Sequence, residues 1–315
     1  MHGSVAASLK GSHIKIAVLI GVFCLVASFV AEAAASAPKC FPRGDEDGVE
    51  ATIVGTGGND VIRGTKGNDV IVAGGGRDVI RASSGHDLIC ASRGADLVYA
   101  GVGRDEMRGG RGADVIYGGR GPDEVNDGRG PDEIHAGVGG HFPGSLNGDL
   151  VLNSRGDDVV LMGGDDDWVI DGPGADRYGG GGGGDAFVFG SDGAHDVFVG
   201  GRDDDIIFWE PELEDSDVVI DLASGVVGGT GDDSVRSIEA ADGNAGDDTL
   251  IGNASDNLLD GAEGNDHLEG LGGPDVLEGR AGDDFLDGGD GADYLNGWED
   301  TDTCLNGEEV FNCEL

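Results

Sequence analysis

The sequence predicts an all-β solenoid, a parallel stack of short strands joined by glycine-rich turns, and three observations predict it. Aspartate recurs every nine residues from Asp60 onward, glycine stands two residues before each aspartate, and an apolar side chain stands two residues after it. The 315 residues contain 64 Gly and 62 Asp plus Glu against 19 Lys plus Arg, a net charge of −43 that opposes compaction unless a cation neutralises it.

Residues 1–35 read as a secretory signal peptide. Lys10 and Lys15 flank the apolar run Ile16 to Val30, and Ala31-Glu32-Ala33 or Ala33-Ala34-Ala35 offers a cleavage site. An uncleaved anchor is the alternative, disfavoured because a membrane span needs about 20 apolar residues. The residues before Cys24 do not fit a lipoprotein signal, so Cys24 leaves with the leader. Four cysteines remain, Cys40, Cys90, Cys304 and Cys313, an even number expected to form disulfides in an oxidising compartment.

Segment 36–55 is the expected N-terminal cap, and 56–141 the first nonapeptide block. Its aspartates are Asp60, Asp69, Asp78, Asp87, Asp96, Asp105, Asp114, Asp123 and Asp132. The glycines run from Gly58 to Gly130 at the same interval, and the apolar set is Ile62, Ile71, Ile80, Ile89, Val98, Met107, Ile116, Val125 and Ile134. Glycine permits the positive φ of a tight turn and the aliphatic residue favours an extended segment, so each unit reads as a turn and a short strand. One inward aliphatic side chain gains about 1.5–3 kcal/mol, whereas ordering each backbone residue costs about 1–2 kcal/mol, so a unit folds only by stacking. Stacking aligns the turns, with their carboxylates and carbonyls, along two edges; rows of hard oxygen ligands suit calcium.

The irregular block 142–205 keeps the phase at Asp149, Asp158, Asp167, Asp176 and Asp185, slips by two residues to Asp196, and continues to Asp205. Residues 206–247 lack the repeat and read as a strand-rich connector. The third block, 248–303, carries Asp248, Asn257, Asp266, Asp275, Asp284, Asp293 and Asp302, and 304–315 is the expected disulfide cap.

Segments 109–117 (GGRGADVIY), 261–269 (GAEGNDHLE) and 279–287 (GRAGDDFLD) resemble the repeats-in-toxin (RTX) nonapeptide, the haemolysin-type calcium-binding repeat of serralysin-like β-rolls. The resemblance implies a parallel β-roll with two nonapeptides per turn and calcium between loops 18 residues apart. It implies carboxylate ligands at Asp60, Asp69, Asp78, Asp87, Asp96, Asp105, Asp114, Asp123, Asp132, Asp158, Asp167, Asp176, Asp185, Asp205, Asp248, Asp266, Asp275, Asp284, Asp293 and Asp302, and on the order of 10–15 ions. Asn257 and His141 stand at aspartate positions, so those loops are expected to bind weakly or not at all.

No catalytic residue is expected. The sequence has no His-Glu-x-x-His, no Gly-x-Ser-x-Gly and no phosphate-binding loop, and His86, His135, His141, His195 and His267 are scattered over different units. The expected function is a secreted, extracellular calcium-binding structural or interaction module, with an extracellular polysaccharide or cell surface as partner and no membrane span after signal cleavage. The alternative is a polysaccharide-modifying enzyme with a site in 139–247. The acidity argues against nucleic acid. Four cysteines allow three pairings; Cys40 with Cys90 and Cys304 with Cys313 is favoured, because each pair would close one exposed end of the stack.

Overall fold

The computed structural model describes residues 38–42, 47–138, 148–153, 155–190, 192–209, 217–228 and 233–314. The leader at 1–35 and the His141 position lie outside these residues. Among the described residues no helix is long and apolar enough to cross a membrane.

Successive strands alternate between two long sheets, one of 15 strands and one of 14 among the described residues. Strands Val79–Ser84, Leu97–Val102 and Val115–Arg120 stack in parallel on one side, and Leu88–Arg93, Glu106–Arg111 and Glu124–Arg129 on the other. Two nonapeptides therefore complete one turn of a parallel β-roll. Register follows the repeat: Ile80 pairs with Val98 and Val98 with Ile116, so each aliphatic residue lies directly over its equivalent one turn away.

The sequence gives one inward aliphatic residue per unit, whereas the structure buries three positions. In the unit of Asp87, Ile89 and Ala91 all three side chains are 2% exposed or less. The strand runs for six residues, Leu88–Arg93, and its alternation carries the aspartate, the residue two later and the residue four later to the same interior face. The third position is close-packed against the turn. At Gly118 an added Cβ would lie 2.4 Å from Ala136 O and 2.7 Å from the Asp123 carboxylate, so a small residue keeps the turn closed.

The phase breaks become local insertions. The spacing between stacked aspartates lengthens from 18 to 26 residues at Asp123–Asp149 and Asp132–Asp158, and to 20 at Asp176–Asp196 and Asp185–Asp205, while the sheets continue. The connector also joins the roll. One sheet passes directly from Ile206–Trp209 to Ala240–Asp242, and the other inserts Val219–Asp221, Val226–Gly228 and Asp233–Arg236, of which the first two pair antiparallel and so do the last two. Val218, Ile220, Val227, Val235 and Ile238 keep this stretch packed on the interior.

Both ends are tied by disulfides. Cys40, on the strand Lys39–Cys40 paired antiparallel to Val49–Glu50, bonds Cys90 across 50 residues, and Cys304 bonds Cys313. On the outside, Arg93, Arg111, Arg129 and Arg155 stand in register in one exposed column, and Tyr99, Tyr117 and His135 stack at 4.9 and 4.6 Å.

Candidate metal centres

Each repeat aspartate ends a turn and points its carboxylate into the turn interior. Asp78, Asp87, Asp96, Asp105, Asp114, Asp123, Asp132, Asp158, Asp167, Asp176, Asp185, Asp205, Asp248, Asp266, Asp275, Asp284, Asp293 and Asp302 are all 3% exposed or less. The columns are held by one repeated bond: the backbone N–H of an aspartate donates to Oδ1 of its equivalent one turn later. The distance is 2.8 Å from Asp78 to Asp96, 2.8 Å from Asp96 to Asp114 and 2.6 Å from Asp114 to Asp132, and the bond recurs at 2.8 Å from Asp248 to Asp266 and from Asp266 to Asp284. One oxygen of each carboxylate is thereby used to build the roll.

The other oxygen is not. Oδ2 is buried without a hydrogen-bond partner at Asp78, Asp87, Asp96, Asp105, Asp114, Asp123, Asp132, Asp149, Asp158, Asp167, Asp185, Asp205, Asp248, Asp266, Asp275, Asp284, Asp293 and Asp302. An orphaned buried acceptor costs about 1–3 kcal/mol, and more when charged, so so many of them demand a counterpart. Burial, reinforced by neighbouring carboxylates, pushes the acids upward: Asp123, Asp132, Asp167 and Asp266 to about 8, and Asp96, Asp105, Asp158, Asp248 and Asp284 to about 6. The backbone N–H on Oδ1 offsets only part of this. Hard, buried, unpaired oxygens repeating along two columns fit calcium by donor type.

The candidate ligands are not uniform. The carboxylate of Asp60 is satisfied by the Thr56 N–H at 2.6 Å and hydroxyl at 2.9 Å, and that of Asp69 by the Thr65 N–H at 2.6 Å and hydroxyl at 3.1 Å. These first two turns close on threonine. Asn257 accepts the Asn253 N–H at 2.7 Å and donates through Nδ2 to Glu239 O at 3.1 Å, so its amide brings no charge and already has partners.

The structure adds residues to the columns. Asp149 and Asp196, in phase but outside the expected ligand set, occupy the same turns. Asp233 receives the Asp196 N–H at 2.9 Å, Glu239 receives that of Asp205 at 3.2 Å, and Glu308 receives that of Asp293 at 2.7 Å. No spacing signal reveals these three, because the bonds span 37, 34 and 15 residues. Asp127 and Asp171 occupy the third interior position, which elsewhere in the first block carries glycine or alanine. Asp127, Asp132 and Asp158 bring carboxylate oxygens within 4.8 Å of one another, and so do Asp171, Asp176 and Asp196.

Fold and site together define a parallel β-roll whose turns are lined by buried carboxylates. The RTX calcium-binding nonapeptide repeat model matches residues 54–89, 91–125, 117–139, 242–277 and 269–304, and these repeats and the parallel solenoid together fit an RTX β-roll. No curated protein matches the chain.

Proposed function

We propose that the protein is secreted, folds as calcium binds between its stacked aspartate turns, and acts outside the cell as a structural or interaction module. The observation that carries this reading is the double column of buried Oδ2 atoms without a hydrogen-bond partner, which a calcium-free chain would have to leave unpaired or protonated. The aspartates named from the sequence, with Asp149, Asp196, Asp233 and Glu239 added, are the proposed carboxylate ligands; Asp60 and Asp69, closed by threonine, Asn257, and Asp176 and Asp196, in the cluster that Tyr178 and Asn153 close, contribute least. Backbone carbonyls of the turns complete the shell, and calcium supplies positive charge that the chain lacks. The RTX match supports secretion by family resemblance, and the leader-like N-terminus supports the general secretory route.

A binding role is favoured over the enzyme reading because 148–153, 155–190 and 192–209 form further rungs of the same roll. An anionic polysaccharide at the cell surface is the partner class that fits the column Arg93, Arg111, Arg129 and Arg155 on an otherwise acidic protein. Circular dichroism across a calcium titration tests the reading. With dissociation constants of about 0.1–1 mM, β-structure should appear over the millimolar range and vanish in EGTA; a β-rich spectrum unchanged by EGTA would refute calcium-dependent folding.

A further inference from the structure

Three successive rungs of one interior column carry polar side chains where the preceding rung carries Gly109: in register these are Asp127, Asn153 and Asp171. Asp127 is fully buried and stands at the start of the turn that Asp132 ends, and Asp158 lies one turn beyond Asp132. The three carboxylates offer oxygens within 4.8 Å of one another. Asp132 is 3% and Asp158 1% exposed, and their Oδ1 atoms are used by the N–H groups of Asp114 and Asp132, both at 2.6 Å. Their Oδ2 atoms have no partner.

The related cluster of Asp171, Asp176 and Asp196 shows what a hydrogen-bonded solution looks like. There the Tyr178 hydroxyl donates to Asp171, and Asn153 Nδ2 donates to Asp176 Oδ2 at 2.8 Å and to the Tyr178 oxygen at 2.5 Å. Tyr178 is 2% and Asn153 8% exposed, so these donors are part of the interior. At the first cluster the Gly128 N–H donates to Asp127 Oδ1 at 2.6 Å, and other residues fill the places of Tyr178 and Asn153. Ile134 follows Asp132 by two, as Tyr178 follows Asp176, and Gly109 precedes Asp127 by one rung, as Asn153 precedes Asp171. Neither Ile134 nor Gly109 has a side-chain donor to offer.

We propose that Asp127, Asp132 and Asp158 form a three-carboxylate calcium site that binds its ion more tightly than the repeat turns, while the Asp171 cluster is closed by Tyr178 and Asn153 and holds none of its own. The inference rests on the calcium-binding reading but assigns the affinity to Asp127, a residue outside the nonapeptide pattern. Calcium affinity rises with the number of carboxylates in a site, so a third one in a dry turn raises it.

The test is equilibrium dialysis of the full chain against buffered calcium, with circular dichroism at 5 mM calcium to verify folding. Wild type should retain one calcium per chain at free concentrations at least tenfold below those that empty the other sites. Asp127→Gly, which installs the residue found at Gly109, should lose that ion and keep the remainder, Asp127→Asn should weaken it at least tenfold, and Asp171→Gly should leave it in place. A tight ion retained by Asp127→Gly, absent from wild type, or lost equally in Asp171→Gly overturns the proposal. If Asp127→Gly does not fold at 5 mM calcium, the Asn variant decides. Wild type that binds no calcium at any concentration overturns the calcium reading itself.

Discussion

Replacing one repeat aspartate by asparagine should change stability in opposite directions with and without calcium, and Asp266→Asn is the clearest case. Asp266 is 2% exposed; its Oδ1 accepts the Asp248 N–H at 2.8 Å and its Oδ2 has no partner. Burial, then the carboxylates of Asp284, Asp248 and Asp247, push its acid up to about 8 against the pull of the Asp248 N–H. Asparagine keeps the Oδ1 bond and removes the charge. Its amide can donate to the Asp248 carbonyl, as Asn257 does to Glu239 O. Without calcium the variant is relieved of an orphaned oxygen, a gain of about 1–3 kcal/mol. With calcium at ten times the dissociation constant, each lost site removes about 1.4 kcal/mol, and a carboxylate that borders two gaps between turns removes about 3 kcal/mol. The assay is urea denaturation at 5 mM calcium, paired with refolding of the calcium-free chain by trimethylamine N-oxide, which favours compact states. The urea midpoint should fall and the osmolyte midpoint should fall too, the second drop marking stabilisation. Destabilisation under both conditions would refute the argument that the buried carboxylates are a liability which only the ion redeems.

Two further predictions concern pH and the cap. The acids of Asp123, Asp132, Asp167 and Asp266 stand near 8 in the roll, against about 4 in an unfolded chain, so the folded state binds their protons more tightly. The calcium-free roll is then most stable below about pH 4 and loses that stability as pH rises toward 8. Circular dichroism in EGTA should show β-structure growing on acidification, and in excess calcium the trend should reverse because the ligands must be deprotonated; no gain on acidification would contradict it. Removing the Cys40–Cys90 bond, which spans 50 residues, should cost about 4 kcal/mol in the chain-entropy model. Denaturation of the Cys40→Ser, Cys90→Ser chain at saturating calcium measures this, and an unchanged midpoint would show that the cap is not stabilising.

What could be read from the sequence was whatever repeats. Nine-residue spacing reveals the parallel stack, the inward Ile62 to Ile134 series and the aspartate columns, because a solenoid repeats one local solution. Features that occur once carry no period. Glu239 and Asp233 complete the columns across an insertion of non-repeating length, and only the fold brings them to Asp205 and Asp196. The threonine closure of Asp60 and Asp69 depends on a hydroxyl four residues upstream, Thr56 or Thr65, that reaches the carboxylate, whereas Ser92, at the same place before Asp96, donates to Cys90 O instead. The third interior position carries no clear sequence signal, because glycine and alanine there resemble turn filler, although the same position holds Asp127, Asn153, Asp171, Phe189 and Trp209 in the middle of the chain.

That third position also determines where the roll should open first as calcium is withdrawn. From the sequence, the ten basic residues of 51–141, set against 13 acidic ones, suggest that loop arginines such as Arg77, Arg93, Arg104, Arg111, Arg120 and Arg129 offset aspartate repulsion there, whereas 142–315 carries a net charge of −39. Among the described residues none of these arginines forms an ion pair with a repeat aspartate: the carboxylates face inward, and the arginines are exposed. Packing supplies the difference instead. The first block buries Ala73, Ala82, Ala91, Ala100 and Ala136 at the third position, while Gly252, Gly261, Gly270, Gly279, Gly288 and Gly297 hold it in the last. Five methyl groups contribute about 4 kcal/mol by burial, and glycine adds backbone entropy that must be frozen. The middle block goes further, with Tyr178 and Phe198 stacked at 5.0 Å and Phe189 edge-on to Trp209 at 4.9 Å. Each such aromatic pair adds about 0.5–1.5 kcal/mol beyond its buried area. Hydrogen exchange across a calcium titration should therefore show the last block losing protection first, the first block next, and the strands around Phe187 and Phe198 last. Protection in the Leu250–Leu295 rungs that outlasts that around Phe198 would mean that ion binding, not side-chain packing, sets the order of opening.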